Sequence, residues 1–247
     1  MTLTSFAQSE FELRFEWGPR GAEAIAREAR AIVVIDILRF TTTVVTAVER
    51  GAIIYPYRWR DDSAATFAES IGAVLAVRRE EANPARPFSL SPLSMAAAKA
   101  GTKIVLPSPN GAEVSLAAAK SGGVVFAGCL RNAPAVAAAA RTVGTPIGII
   151  AAGERWRIDG SLRPSFEDMI GAGAIIDALD GSKMSPEAAA ALAVFKSARD
   201  DLERLLLECS SGRELARHGF SDDVIWASKW NVSRVAPLLH SGAFVGE

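Results

Sequence analysis

Short apolar runs recur along the chain at 32–37, 52–57, 74–77, 103–106, 123–127 and 147–151, most of them rich in valine and isoleucine. Runs of this length bounded by turn residues predict buried strands. Alanine-rich stretches of helical character lie between several of them, at 63–71, 112–121 and 134–143. This alternation predicts an α/β fold, a three-layer α/β/α arrangement with a largely parallel or mixed sheet. The proline-containing segment 80–92 predicts a long loop. After Gly181 the pattern turns helical. Ser185 and Pro186 open a helix expected to run to about residue 208. A short helix over 211–219 is expected to close on Gly219. Ser221 is the expected N-cap of a last helix, with Asp222 and Asp223 in its first turn. Residues 1–247 read as one domain, with 182–247 a mainly helical portion that packs and carries no chemistry of its own.

Four of the predicted strands run into small or polar residues and then into a helix. The run at 32–37 leads into "DILRFTTT", that at 103–106 into "PSPNGA", that at 123–127 into "GCLRNAP", and that at 147–151 into "AGERWRIDGSLRPSFED". The carboxyl ends of parallel strands line the ligand crevice in open α/β sheets, and helix N-termini there favour anions. Each junction also has a plain structural account. Thr41, Asn110, Asn132 and Ser165 suit N-caps, worth about 1 kcal/mol each. Glu167 and Asp168 suit the first turn of any helix, and a buried Asp36–Arg39 pair could be purely structural. Convergence of all four junctions favours a site. It would gather the carboxylates Asp36, Glu154, Glu167 and Asp168, the amides of Asn110 and Asn132, the hydroxyls of Thr41, Thr42 and Thr43, and the guanidinium of Arg39, with Arg131 a further candidate.

Composition narrows the chemistry. The formal net charge is −1 over 247 residues, so no basic field exists to hold a nucleic acid or a membrane surface. The two cysteines, Cys129 and Cys209, form neither a disulfide framework nor a zinc site. Cys129, at a strand end, reads as a small buried hydrophobe rather than a nucleophile. His218 and His240 both lie late in the chain, which argues against a histidine metal cage or a Ser/His/Asp triad. No apolar run approaches a membrane span, and the first residues lack the apolar core of a signal peptide; a soluble cytoplasmic protein is expected. Oxygen donors without histidine or cysteine select a hard cation such as Mg²⁺. Arginine and helix N-termini select phosphate or a second acid group. The combination points to Mg²⁺-assisted phosphoryl transfer from a small anionic phosphoester.

With those residues in view, the chain resembles the Mg²⁺-dependent 2-phosphosulfolactate phosphatases of the ComB type. The resemblance rests on "VVIDILRFTTTVVTAVERGA" at 33–52, "SPNGA" at 108–112, "GCLRNAPAVA" at 128–137 and "AAGERWRIDGSLRPSFEDMIGAGAII" at 151–176. "GRELARHGFSDDVIWAS" near the C-terminus is also similar, so roughly residues 30 to 240 are covered. The resemblance implies a three-layer α/β/α fold, Mg²⁺ as cofactor, and hydrolysis of a phosphate ester flanked by a carboxylate and a sulfonate, a reaction of coenzyme M synthesis. It departs from the family pattern where a substrate would be read. Leu90-Ser91-Pro92 stands for an Asn-Ser-Pro segment, "VRREEANPARP" replaces a glycine-rich loop, and Ser108-Pro109 precedes Asn110-Gly111.

On this reading Asp36, Glu167 and Asp168 are the metal-binding candidates, and with Arg39 they form the catalytic set. Asp36 is a metal ligand or a phosphoryl-accepting nucleophile. Neighbours on a helix point about 100° apart, so Glu167 and Asp168 are not expected to face one ion together. Thr41, Thr42, Thr43, Asn110, Gly111, Asn132 and Glu154 are the substrate-binding candidates. The segment 154–164, with Trp156, is a candidate lid. A homodimer is expected on general grounds. Two alternatives stand beside the first: a phosphatase for another phosphorylated hydroxy acid, and a non-catalytic binder of such acids.

Overall fold

Every residue of Ala31–Ile35 is apolar and buried, as a strand covered on both faces requires. It forms β2 in the computed structural model, which describes residues 6–58, 61–181 and 183–246. The other strands are β1 (Leu13–Trp17), β3 (Ile53–Tyr57), β4 (Val74–Leu75), β5 (Lys103–Pro107), β6 (Val124–Gly128), β7 (Ile147–Ala151), β8 (Glu154–Arg155), β9 (Leu162–Arg163), β10 (Leu238–His240) and β11 (Ala243–Val245). The helices are α1 (Gly18–Ile25), α2 (Phe40–Val48), α3 (Asp62–Ser70), α4 (Gly111–Ala119), α5 (Ala133–Val143), α6 (Phe166–Leu179), α7 (Pro186–Ala198), α8 (Leu202–Glu208), α9 (Ser210–Arg217) and α10 (Ser221–Ser228).

Among the described residues, nine strands form one mixed sheet in the order β1-β7-β2-β6-β10-β11-β3-β5-β4. β1, β7, β2 and β6 pair in parallel, as do β3, β5 and β4. The hairpin β10–β11 is antiparallel to β6 on one side and β3 on the other, and joins the two parallel groups. Side chains alternate across a strand, and β2 shows the result. Ile32 and Val34 pack with Ile25, Val114 and Ala118 from α1 and α4. Val33 and Ile35 pack with Val136, Ile170 and Ile175 from α5 and α6. Three layers follow, as the strand–helix alternation predicts.

The C-terminal portion differs from expectation in two places. The helix predicted from 186 to about 208 is interrupted by a 3₁₀ turn at Arg199–Asp201, where two aspartates compete with helical hydrogen bonding. Ser221 is the first residue of α10, and Phe220 occupies the N-cap. Ser185 does cap α7, accepting from the Ala188 N–H at 3.1 Å. Gly219, at φ +78°, follows the last turn of α9. No helix of the described residues is long and apolar enough to cross a membrane.

α6 and α7 approach closely because Gly173 has no side chain. A Cβ there would lie 2.1 Å from the Ala191 carbonyl oxygen and 2.6 Å from Phe195 Cβ. Gly173→Ala is therefore expected to destabilise the protein by about 1–3 kcal/mol, the usual range for overpacking. Urea unfolding reads this directly, and an unchanged midpoint would contradict the packing described.

Candidate active site

The opening feature of the site is the turn between β2 and α2. Asp36 follows the last residue of β2, and its carboxylate accepts two backbone N–H bonds, from Phe40 at 3.0 Å and from Gly111 at 2.8 Å. The second bond ties the β2 end to the N-terminus of α4. Gly111 is required there, because a Cβ would lie 2.4 Å from Phe40 Cδ1 and 2.7 Å from Asp36 Oδ2. The three threonines serve the same turn. Thr41 Oγ1 donates to the Asp36 carbonyl at 2.8 Å and accepts from the Asp36 N–H at 3.0 Å. Thr42 donates to the Ile37 carbonyl and Thr43 to the Leu90 carbonyl. Their donor hydrogens are thus spent on backbone oxygens, and all three residues are fully buried.

Asp168, in the first turn of α6, links two strand ends. Its oxygens accept from the Ile37 N–H at 2.7 Å and the Gly153 N–H at 2.8 Å. Glu167 is also buried, and its Oε2 lies 3.4 Å from the Cys209 sulfur, which donates to it. Glu154 opens the hairpin β8–β9, and its Oε2 accepts from Asn110 Nδ2 at 3.0 Å. Asn110 sits at the N-cap of α4, yet its side chain makes no capping bond. It turns to the carboxylate instead.

These four carboxyl groups share one electrostatic field. Burial, then the charge of Glu167, raises the Asp36 carboxyl to about 6 against the lowering pull of its two backbone donors and Arg39. Burial, then Asp36 and Glu167, raises Glu154 to about 8. Asp168 is raised well above the ordinary range by burial and by the same two neighbours. Desolvation with like charge disfavours ionisation of Asp36, Glu154 and Asp168.

Arg39 does not pair with Asp36. Its Nη1 meets Asp223 Oδ2 at 2.5 Å, and its guanidinium lies 4.3 Å from the Phe220 ring centroid. Asp223, fully buried in α10, also accepts from the Ser91 hydroxyl at 2.6 Å. The expected Asp36–Arg39 pair is replaced because α10 brings a carboxylate directly against the guanidinium. Asn132 likewise stands apart. Its Oδ1 accepts from the Cys129 N–H, and its Nδ2 donates to the Ala127 and Val235 carbonyls, so the whole amide is used to anchor the end of β6. Ser165, an expected cap, makes no side-chain capping bond. Burial pushes the Cys129 thiol up to about 11, which suits a core residue and not a nucleophile.

A cleft of about 300 Å³ opens over Asp36, Arg39, Asn110 and Glu154. Its far wall is built by Ser211, Glu214, His218 and Phe220, so the C-terminal helices do contribute to the site. Composition gave no signal for these residues; they read as helix-face positions. The segment 154–164 is a β-hairpin closed by the β8–β9 pairing, with Trp156 and Ile158 exposed near its tip. Arg157 ties it to Glu214, and Arg163 to Ser211.

Among the described residues, no group of three His, Cys, Asp or Glu is arranged to enclose a metal ion. Carboxylate oxygens are donors of the kind that hard cations take. Mg²⁺ is usually held by one or two carboxylates, with water and substrate phosphate completing the shell. Asp36 in the cleft, next to carboxyl groups raised by burial and then by their like-charged neighbours, is a donor of that kind.

The family model described as 2-phosphosulpholactate phosphatase matches residues 20–242. A protein of Methanothermobacter thermautotrophicus named 2-phosphosulfolactate phosphatase is 31% identical over 211 residues, covering 85% of this chain and 87% of its own. Proteins named probable 2-phosphosulfolactate phosphatase are similar too. That of Pseudothermotoga lettingae is 30% identical over 223 residues, covering 86% of this chain and 91% of its own. That of Carboxydothermus hydrogenoformans is 32% identical over 216 residues, covering 86% and 87%. The matched span contains the β2–α2 turn, the carboxyl cluster and the Arg39–Asp223 pair, and this chain belongs to the 2-phosphosulpholactate phosphatase family of phosphoric monoester hydrolases.

Proposed function

We propose that the protein is a Mg²⁺-dependent phosphatase acting on the phosphate ester of a small anionic hydroxy acid, 2-phosphosulfolactate being the substrate its family membership favours. The observation that carries this reading is the position of Asp36, a carboxylate fixed by two backbone donors in a cleft that also presents Arg39. In this proposal Asp36 and Glu167 would hold the cation, which would supply neutralisation of phosphate charge and a more acidic bound water. Arg39, oriented by Asp223, clamps the anion through its remaining N–H groups. Water takes the place of the departing ester oxygen on phosphorus, and Glu154, its carboxyl raised to about 8, protonates that oxygen and recovers a proton from the attacking water. Asn110 orients Glu154 through the hydrogen bond described above. Asp168 positions the β2 and β7 ends and holds no ligand itself. A cytoplasmic setting belongs to the same proposal and is supported by two free, buried thiols.

Leu90 on the cleft wall favours a second reading, the same chemistry on a different phosphorylated acid. An apolar side chain there offers no hydrogen bond to a substrate oxygen. Phosphate release from a panel of phosphorylated hydroxy acids, 2-phosphosulfolactate among them, separates the two.

The raised carboxyls predict how the metal-free protein responds to pH. Asp36 and Glu154 bind protons more tightly folded than unfolded. Their contribution is complete below the ordinary carboxylate range and is lost as pH rises through about 6 and then about 8. In EDTA the melting temperature should fall between pH 6 and pH 9. Mg²⁺ should restore it, by more at pH 9 than at pH 6, because the ligands are then ionised. A Mg²⁺ increment independent of pH would contradict the proposed ligand set.

A further inference from the structure

A second cavity adjoins the cleft and shares Arg39, Leu90, His218 and Phe220 with it. It is the larger of the two, about 520 Å³ against about 300 Å³. Its remaining wall carries Arg78, Arg79 and Arg157, with Glu80 beside them. Arg157 is paired with Glu214, and Arg39 with Asp223. Among the described residues, no carboxylate pairs with Arg78 or Arg79. The Arg79 guanidinium lies 4.8 Å from the centroid of the Phe220 ring, the ring that also receives Arg39 at 4.3 Å. Phe220 is therefore a common stacking surface. It holds one guanidinium in the cleft and another in the annex, and a ring face favours a cation without neutralising it.

We propose that this annex is a second anion subsite, and that the enzyme's substrate class includes phosphomonoesters whose second acid group lies several bonds from the ester. The phosphate occupies the cleft, and the remote acid group is received by Arg78 and Arg79. The proposal rests on the phosphatase reading of the cleft. A cavity of about 300 Å³ lies at the small end of ligand sites, and a compact ester with its acid groups beside the ester carbon is sized for the cleft alone. The annex adds more space than the cleft itself, and its two unpaired arginines offer planar donor pairs matched to a carboxylate or sulfonate.

The test measures binding, so it does not depend on turnover. Two non-hydrolysable probes, phosphonoacetate and 6-phosphonohexanoate, are titrated calorimetrically into the full chain with Mg²⁺ at constant ionic strength. The extended probe should bind tighter by about tenfold, the usual scale for a charge-assisted contact. The double variant Arg78→Ala/Arg79→Ala should abolish that preference and leave phosphonoacetate binding within about twofold of the parent. Both side chains are exposed, so the melting temperature should hold. Equal affinity for the two probes in the parent protein overturns the annex and leaves the cleft reading intact. So does a double variant that weakens both probes alike. Failure of both probes to bind overturns the phosphatase reading, and the annex with it.

Discussion

Asp36→Asn is expected to lower phosphate release about 10³-fold while the protein stays folded. The substitution keeps the shape of the side chain and removes its charge. One amide oxygen still accepts from Phe40 or Gly111, and the amide nitrogen faces the other N–H. A buried donor left in that way costs about 1–3 kcal/mol. Part of this is offset, because the Asp36 charge is one cause of the raised Glu154 and Asp168 carboxyls. Removing it relaxes both. Activity and stability should therefore separate, with a large loss in the first and a modest loss in the second. Phosphate release measured beside a denaturant curve checks this, and a variant that keeps a tenth of the parent activity would contradict the role given to Asp36.

The second large effect is expected far from the cleft in sequence. Asp223→Ala should destabilise the protein by about 3 kcal/mol, as breaking a buried ion pair does. The pair lies between a fully buried carboxylate and an arginine side chain only 14% exposed, so little water can replace what is lost. The Ser91 hydroxyl would lose its acceptor as well. Arg39, stacked on Phe220 but no longer held, should bind the substrate anion less well, raising KM by about tenfold. Asp223→Asn keeps one acceptor, enough for either Arg39 or Ser91, and turns an amide N–H to the other, so it should fall between the parent and the alanine variant. If Asp223 acts through Arg39, the effects of Asp223→Ala and Arg39→Ala on KM should not add. Strict additivity would mean that Asp223 has a packing role only.

These expectations show which parts of the protein the residue pattern reveals. The parallel strands were readable because both faces are covered, so that β2 and β7 are continuous apolar runs. β1 was not among the predicted strands, although Leu13, Phe15 and Trp17 alternate with Arg14 and Glu16; its charged positions hide it from a search for apolar runs. The β10–β11 hairpin is three residues a side around Ser241-Gly242, too short for periodicity to register. At the site, strand-end position alone marked Asp36, Asn110 and Glu154 for the cleft. The directions of their neighbours were not readable. Three threonine hydroxyls look like substrate donors in the sequence, and only the fold shows them closing a turn on the carbonyls of Asp36, Ile37 and Leu90. Arg39 and Asp223 meet across 184 residues, a distance over which no local pattern carries information. The wall formed by α9 and the turn after it escapes a local reading for the same reason.

The most direct test of the account is phosphate release from 2-phosphosulfolactate by the full chain, measured with Mg²⁺ and with EDTA, in the parent protein and in Asp36→Asn. Turnover should require Mg²⁺ and collapse in the variant. Equal turnover in EDTA, or a folded parent protein that releases no phosphate from this ester or from the wider panel of phosphorylated acids, would contradict it.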